Sequence, residues 1–446
     1  MEFLEFKDLL FKKAIENGFN ECEIYYRNGD NISISAYDGE VEKYDISKSF
    51  GLSFRGKINN KMGYSYTEVM DKATIDILIN NAKNSANIIE NNDTQFIYEG
   101  DKKYSSVNTY SREIENINPK KMIDLVLELE KETKSYDKVI NLKGCKISYS
   151  SSDYGIYNTK GLEITNKKNM LIAYVASVVK DKVDKNDGLG YIVASSINEV
   201  IPKKIAKQSV NEAVSKLGGK SIASGTYKTI IYNKAMASIL KTFACNFSAD
   251  RVQKGLSLLK DKEGEIIASN LVTIIDDPVF DNGLSSTPFD DEGVSTYTKE
   301  IISNGKLITF LHNLKTANKA GVKSTGNGFK SSYASSISVS ESNLYLKGGN
   351  KSLEELMEHI NEGIMITDLA GLHSGANTIS GDFSLAAKGF YIKDGKKSFP
   401  IEQITLSGNY FDLLKNIVEV GNDIIFPMSN VGSPSIIAKG LSIAGE

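Results

Sequence analysis

The fold class of this chain can be inferred from the run Asn31-Ile32-Ser33-Ile34-Ser35-Ala36-Tyr37-Asp38-Gly39-Glu40-Val41-Glu42-Lys43-Tyr44. Apolar and polar residues alternate on both sides of an Asp-Gly pair, and this arrangement is the strongest short-range signal of a β-hairpin. The run therefore predicts two antiparallel strands that are joined at Asp38-Gly39.

Helices and further strands are predicted on both sides of this hairpin. Apolar residues recur at helical spacing before and after it, and Pro119 has the position of a first helical residue. The N-terminal half is predicted to contain helices at 4–17, 69–90, from 119 onward and at 203–217, and strands at 22–26 and across 138–197.

The C-terminal half is richer in strands. Asn-Gly and Asp-Gly pairs between apolar runs predict hairpins at Asn304-Gly305 and Asp394-Gly395. Ser352-Leu353-Glu354-Glu355 has the pattern of a capping box and predicts a helix through Ile360. A strand at 227–232 and a helix at 234–247 complete the predicted elements.

These elements predict an α+β protein with three units. An irregular polar stretch at 98–118 is predicted to be a linker, and Gly218-Gly219 marks a second boundary. The predicted units are an N-terminal region of helices and antiparallel hairpins at 1–97, a middle α+β unit at 110–219 and a β-rich unit at 222–446.

Composition restricts the class of protein. A hydrophobic content of 41% and a charged content of 24% are typical of a folded soluble chain, and no apolar run has the roughly 20 residues of a membrane helix. The acidic N-terminus lacks the pattern of a signal peptide, and three widely spaced cysteines predict a reducing cytoplasm. Only four of the 53 basic residues are arginine, which argues against nucleic acid as a direct partner.

Residues that hold transition metals are scarce. The 446 residues include three histidines and three cysteines, and no two of these six lie within five positions of one another. Metal sites depend mainly on imidazole and thiolate, and a hydrolytic triad needs a base beside its nucleophile. We therefore predict that this chain carries no metal site and no catalytic residues of its own.

Three strings in the last third are candidate binding segments. Asp290-Asp291-Glu292-Gly293 is either a site for a hard cation or a solvated acidic turn, and the missing EF-hand spacing favours the turn. Ser324-Thr325-Gly326-Asn327-Gly328 is either a flexible anion- or backbone-binding loop or an ordinary turn. The small residues of the string at 375–384, which includes Gly381 and Asp382, fit either a close approach of another backbone or a tight strand connection.

Taken together and in order, these strings resemble the TldD/PmbA family of metallopeptidase-related proteins. The resemblance covers about 220–446 closely and is weaker before it. Asp290-Asp291-Glu292-Gly293, Ser324-Thr325-Gly326-Asn327-Gly328 and Ser380-Gly381-Asp382-Phe383-Ser384 carry it, together with 302–307, 391–395, 399–401, 404–409 and 420–423. An older name for the group is modulator of DNA gyrase, and the charge pattern does not support direct DNA binding.

The family has two branches, and this chain resembles the PmbA-like (TldE-like) branch. TldD-like chains carry H-E-x-x-x-H and a later cysteine, which bind the catalytic metal. Here the corresponding register is Leu240-Lys241-Thr242-Phe243-Ala244-Cys245, and no cysteine follows Asp423. Leucine cannot bind a metal, and a protonated lysine repels one.

The resemblance implies a C-terminal domain of curved, barrel-like antiparallel sheet and a role beside a catalytic partner. It implies a heterodimer with a TldD-like metallopeptidase, or a homodimer when the chain is alone. Zinc is expected on that partner, unfolded peptide is the expected substrate, and no direct binding to nucleic acid or membrane is expected. The candidate peptide contacts are Asp290, Asp291, Glu292, Ser324, Thr325, Gly326, Asn327, Gly381 and Asp382.

Two alternatives remain open from the sequence. Besides the role of a metallopeptidase subunit, the chain could act as a stand-alone peptide-binding or scaffold protein. It could also act as a metal-free hydrolase that uses Cys245. The absence of a neighbouring H-E-x-x-x-H homologue in the genome would favour the scaffold, whereas an accessible and ionised Cys245 would favour the hydrolase.

Overall fold

The first half of the protein is built on one six-stranded antiparallel sheet. The computed structural model describes residues 1–88, 95–182 and 184–446. The strands hydrogen-bond in the order β3-β2-β1-β4-β5-β6. Their bounds are β1 (Glu21–Tyr37), β2 (Glu40–Ile58), β3 (Lys61–Thr67), β4 (Val139–Asn158), β5 (Glu163–Lys180) and β6 (Lys185–Ala194).

The predicted hairpin is confirmed as β1 and β2. Asp38 and Gly39 have φ values of 56° and 84°, the left-handed conformation that a two-residue turn between antiparallel strands requires. The strand predicted at 22–26 is confirmed, and β1 continues from it without a break into the hairpin. It does so because β2 and β4 both pair along its length and satisfy its backbone groups on both sides.

Four helices cover one face of this sheet. Their apolar stripes bury Phe6, Leu10, Leu78, Val126 and Ala206 against the strands. The predicted helices at 4–17, 69–90, 119 onward and 203–217 are confirmed within the described residues, and positions 89–90 lie outside them. The observed helices are α1 (Phe3–Glu16), α2 (Lys72–Ile88), α3 (Pro119–Lys134) and α4 (Pro202–Ser215).

The stretch at 98–118 contains neither helix nor strand. Its path is nevertheless fixed, because Ile114 is buried and Thr109 Oγ1 donates to the carbonyl of Lys167 at 2.6 Å. β1 lies before this stretch and β4 after it, and the two pair directly. One sheet therefore continues across the first proposed domain boundary.

The C-terminal half confirms the α+β class and the curved sheet. Eight strands form a sheet that curls into a half-barrel around helix α5 (Asn233–Phe243), in the order β18-β20-β8-β15-β16-β17-β21-β7. A second sheet has the order β11-β10-β9-β14-β19. Most pairs are antiparallel, but β15 with β8 and β14 with β19 are parallel. The strands are β7 (Gly225–Thr226), β8 (Thr229–Ile231), β9 (Ile274–Asp276), β10 (Lys299–Ser303), β11 (Lys306–Leu307), β12 (Gly328–Phe329), β13 (Ser338–Val339), β14 (Leu344–Leu346), β15 (Gly363–Ala370), β16 (Asp382–Lys393), β17 (Lys396–Asn409), β18 (Ile417–Val420), β19 (Val431–Gly432), β20 (Ile436–Ala438) and β21 (Ser442–Ala444).

The helices of this half are short. The capping box at Ser352 is confirmed, since its hydroxyl accepts from Glu355 N–H and the Glu355 carboxylate accepts from Ser352 N–H. The helix predicted at 234–247 ends earlier as an α-helix, and its last turn is 3-10. The helices are α5 (Asn233–Phe243), α6 (Ala249–Gln253), α7 (Leu314–Ala320), α8 (Leu353–Ile360), α9 (Leu372–Gly375) and α10 (Tyr410–Lys415). No helix within the described ranges combines the length and the apolarity that a membrane span requires.

Candidate functional site

The acidic loop, Asp290-Asp291-Glu292-Gly293, is buried under the polar face of the N-terminal sheet. Its three carboxylate residues are between 0 and 8% exposed. The preceding Phe289 packs against the rings of Tyr104 and Tyr154. The prediction of a solvated turn is therefore wrong, because the sheet excludes water from it.

Asp290 organises the turn of the acidic loop. Its Oδ1 accepts from the backbone N–H groups of Glu292 and Val294, both at 3.0 Å, and its Oδ2 accepts from Gly328 N–H at 2.9 Å. Burial and the neighbouring Glu292 raise the pKa of Asp290 well above its ordinary value, while the three N–H groups act in the opposite direction. Asp290 thus has the capping role that the turn prediction gave it.

Glu292 joins the acidic loop to the N-terminal sheet. Its Oε2 accepts from Leu314 N–H at 2.7 Å, and its Oε1 lies 3.9 Å from Arg55 Nη1. Arg55 also donates from Nε to Glu23 Oε1 at 2.6 Å, and these two residues are cross-strand neighbours on β2 and β1. Burial raises the pKa of Glu292 to about 7, and Arg55 opposes that rise.

The Ser324 loop, Ser324-Thr325-Gly326-Asn327-Gly328, is held by its own side chains. Thr325 Oγ1 accepts from His312 N–H at 2.7 Å. Asn327 Nδ2 donates to Asp276 Oδ2 at 2.9 Å, and Asn327 Oδ1 accepts from Lys299 Nζ at 3.2 Å. Thr325 and Asn327 are buried and hydrogen-bonded, which favours the alternative of an ordinary turn over that of a flexible binding loop.

Ser324 is the more accessible member of that loop. It is half-buried and lines an open groove of about 510 Å³ beside Tyr98, Leu314 and Val322. The Ser324 loop also contacts the acidic loop, because Asp291 N–H donates to Gly328 O at 2.9 Å. The structure therefore brings two of the three predicted strings together.

The third string lies apart from these two. Gly381 has a φ of 88°, and a Cβ atom there would lie 2.6 Å from a ring carbon of Phe411. Asp382 Oδ1 accepts from Asn409 Nδ2, and Oδ2 accepts from Ser380 Oγ. These contacts support the alternative of a tight strand connection that leads into β16. Peptide contact at all nine candidate residues stays a prediction.

The residues at the metal-helix register do not fit a metal ion. Leu240 is fully buried in the main core of the C-terminal domain, Lys241 is exposed, and Cys245 is half-buried. Across the ranges that the structure describes, no three His, Cys, Asp or Glu side chains converge in a way that could hold a metal. A leucine side chain in the core and an ammonium group offer zinc no lone pair.

The segment that would carry the third metal ligand has a structural function here. Asp423 accepts from Ser435 Oγ at 2.7 Å and from Asn233 Nδ2 at 3.1 Å, which ties this segment to the start of α5. Asn430 Nδ2 donates to Ser342 O at 2.7 Å. These hydrogen bonds fix the segment within the C-terminal domain.

The three thiols are expected to differ in reactivity. Cys22 and Cys145 are buried, and burial raises the pKa of each thiol to about 12, whereas Cys245 is half-buried. With iodoacetamide on the folded chain, we expect labelling at Cys245 first and none at the other two, as measured by peptide mass mapping. Labelling of Cys22 or Cys145 before unfolding would contradict this. Labelling of Cys245 faster than in the urea-unfolded chain would support the hydrolase alternative.

Sequence reasoning missed a charged cavity between the two halves of the molecule. We call it the junction cavity; its volume is about 240 Å³, and its lining includes Tyr25, Arg27, Lys168, Asp291, Lys330 and Glu341. Alternate residues of a strand point to one face. Two features of the sequence could have indicated this cavity. One is the alternate spacing of Glu23, Tyr25 and Arg27 on one strand, and the other is the small number of arginines in the chain.

Comparison with known proteins gives one family along the chain. Residues 22–86, 112–217 and 224–445 match the models of the PmbA/TldA metallopeptidase domain 1, central domain and C-terminal domain. A metalloprotease PmbA homologue of Buchnera aphidicola is 27% identical, with 97% of this chain and 95% of that protein covered.

Two solved structures have the same fold. A Thermotoga maritima protein described as a modulator of DNA gyrase is 34% identical, with a TM-score of 0.92 over 99% of this chain and all of that one. TldE from Thermococcus kodakarensis is 22% identical, with a TM-score of 0.89 over 99% of this chain and all of that one.

Proposed function

This chain belongs to the PmbA/TldD metallopeptidase family, and we propose that it is the TldE-like, non-metal-binding subunit of a cytoplasmic peptidase complex. In this proposal it pairs with a TldD-like subunit and supplies peptide-binding surface and chamber walls. The complex trims or degrades unfolded peptides.

One observation supports the proposal most directly: α5, which has the position of the metal-binding helix of TldD-like chains, contributes Leu240 to the hydrophobic core instead of a metal ligand. Leu240 has no exposed surface and packs in the same cluster as Phe243 and Phe247. A histidine there would put a polar ring into an apolar core, where an unpaired polar group is costly. This helix therefore supports the domain, and the chemistry is assigned to a partner.

In this proposal the two subunits have different roles. A TldD-like partner that holds zinc would supply the polarisation of the scissile carbonyl and the activation of water. This chain's contribution is to hold the peptide, and the open groove beside Ser324 is where an extended segment would lie. That groove has apolar walls from Tyr98, Leu314 and Val322, which suit the side chains of an unfolded peptide.

The test is co-expression with a TldD-like subunit, followed by zinc analysis and a cleavage assay on an unfolded peptide. We expect well below one zinc per copy of this chain. Omission of the chain should lower the cleavage rate by at least about tenfold, the factor that 1.4 kcal/mol of barrier represents. A matched control is the same complex with the partner's metal-helix glutamate replaced by glutamine, which should be inactive.

The opposite results are equally informative. Stoichiometric zinc on this chain alone would overturn the proposal, because the metal-helix register would then be irrelevant to metal binding. A cleavage rate that does not depend on this chain would leave the stand-alone binding or scaffold protein as the better description.

A further inference from the structure

The junction cavity contains three cationic groups that come from two separate parts of the chain. Arg27 lies on β1, Lys168 on β5, and Lys330 follows β12 in the C-terminal domain. Within the described part of the chain, no carboxylate oxygen lies within 4.0 Å of any of these cations. All three are half-buried, so their charges are partly removed from water.

The side chains that contact these three cations are uncharged tyrosine rings and serine hydroxyls. Lys168 Nζ lies 5.9 Å from the centroid of the Tyr154 ring. Lys330 Nζ donates to Ser53 Oγ at 2.7 Å and lies 5.1 Å from the centroid of the Tyr25 ring. Arg27 donates from Nε to Ser152 Oγ at 3.0 Å, and its two terminal nitrogens have no hydrogen-bond partner among the residues that the structure describes.

The lining of the junction cavity carries more cationic than acidic side chains, and its two lysines are half-buried. Burial, and then Arg27, lower the pKa of Lys168. Burial, and then Arg55, lower the pKa of Lys330 to about 8. The lining also contains two carboxylate residues: Asp291, which accepts from Lys330 N–H at 2.7 Å, and Glu341. Three cations against two carboxylates leave one positive charge uncompensated.

We propose that the junction cavity binds the C-terminal carboxylate of a peptide through Arg27, Lys168 and Lys330. This inference rests on the proposed function, since it names a place where a peptide end would be held. A single carboxylate matches the one uncompensated charge, and charge-assisted hydrogen bonds to a carboxylate are among the stronger ones that proteins form.

Size and lining favour a peptide end over other anions. The volume of about 240 Å³ lies below the roughly 300–1,000 Å³ of pockets that enclose drug-sized ligands, so one terminal residue fits better than a longer segment. Tyr25, Tyr154 and Phe329 line the same cavity and offer ring faces to a terminal side chain. Inorganic phosphate would leave those rings without a contact.

The test measures binding of a labelled unfolded octapeptide to the full chain by fluorescence anisotropy. The peptide is made with a free C-terminal carboxylate and, separately, with a C-terminal amide. We expect the carboxylate form to bind at least about tenfold more tightly, which corresponds to 1.4 kcal/mol. Lys168→Met should remove this preference, and Lys168→Arg should retain it because the charge is kept.

Lys167→Met is the matched control, because Lys167 is the exposed neighbour of Lys168 and lies 3.6 Å from Asp153 outside the cavity lining. It should leave the preference unchanged. Equal affinity for the two peptides, or displacement by inorganic phosphate at concentrations comparable to the peptide's Kd, would overturn the inference. Failure of both peptides to bind would also overturn it, while the co-expression assay would still decide the proposed function.

Discussion

Replacement of Arg55 by methionine is expected to lower the free energy of unfolding at pH 8 by about 3–5 kcal/mol, the usual cost of removing one partner from a buried ion pair. Arg55 is 5% exposed, and it separates the carboxylates of Glu23 and Glu292, which are 2% and 4% exposed. Without the guanidinium, two buried carboxylates would face each other with no cation between them. Urea denaturation followed by circular dichroism measures the loss.

The loss should depend on pH in a defined direction. Burial raises the pKa of Glu292 from its ordinary value of 4.5 to about 7, and loss of the Arg55 cation would raise it further. A carboxyl group whose pKa is raised by folding costs stability as the pH climbs above its unfolded value, and the full cost is present above its folded value. The effect of Arg55→Met should therefore be smaller at pH 5 than at pH 8.

Arg112→Met is the matched control, because Arg112 is an exposed arginine on the stretch at 98–118. It should leave the unfolding curve unchanged. An equal loss for Arg55→Met at pH 5 and pH 8 would contradict the electrostatic account and would indicate lost packing of the arginine side chain instead.

Local patterns predicted the elements of the fold well, because those elements depend on local physics. The Asp38-Gly39 turn needs left-handed backbone, and the helices need apolar stripes, and both requirements are visible over a few residues. The continuity of one sheet across 98–118 was not visible. It depends on pairing between β1 and β4, which are more than one hundred residues apart in the chain.

The candidate site was predicted only in part, for a related reason. The order of the strings located the acidic loop and the Ser324 loop, and the structure shows that they touch. Sequence spacing could not show that the side chains of Asp290 and Asn327 form hydrogen bonds within the protein. Nor could it show that Arg27 and Lys168, 141 positions apart, line one cavity.

The metal-helix register is the point where sequence and structure support each other most directly. The resemblance to the family implies that Leu240 stands where TldD-like chains carry a metal ligand, and the structure shows that this leucine is part of the core. The side chain fills the core beneath the half-barrel, where Phe243 of the same helix stacks on Tyr410 with ring centroids 4.5 Å apart. A polar substitution at this position is therefore expected to lower the stability of the C-terminal domain.

Replacement of Lys299 by methionine is the second change with a large expected effect, again a loss of about 3–5 kcal/mol in the free energy of unfolding. Lys299 Nζ lies 3.0 Å from Asp276 Oδ2 and is bonded to Asn327 Oδ1, and Asp276 has no exposed surface. Methionine preserves the length of the side chain but leaves a buried carboxylate without its cation. The Ser324 loop should loosen as a consequence, because Asn327 would lose one of the groups that fix it.

Urea denaturation gives the stability, and hydrogen exchange at the Ser324 loop gives the local effect. The double variant Asp276→Asn/Lys299→Met should be more stable than Lys299→Met alone, because it removes the orphaned charge. Lys306→Met serves as the control, since Lys306 is exposed on the adjoining hairpin. If the double variant were no more stable than the single one, the orphaned Asp276 carboxylate would not be the cause, and the loss of the Lys299 contacts with Asn327 and with the Tyr297 ring would explain the effect instead.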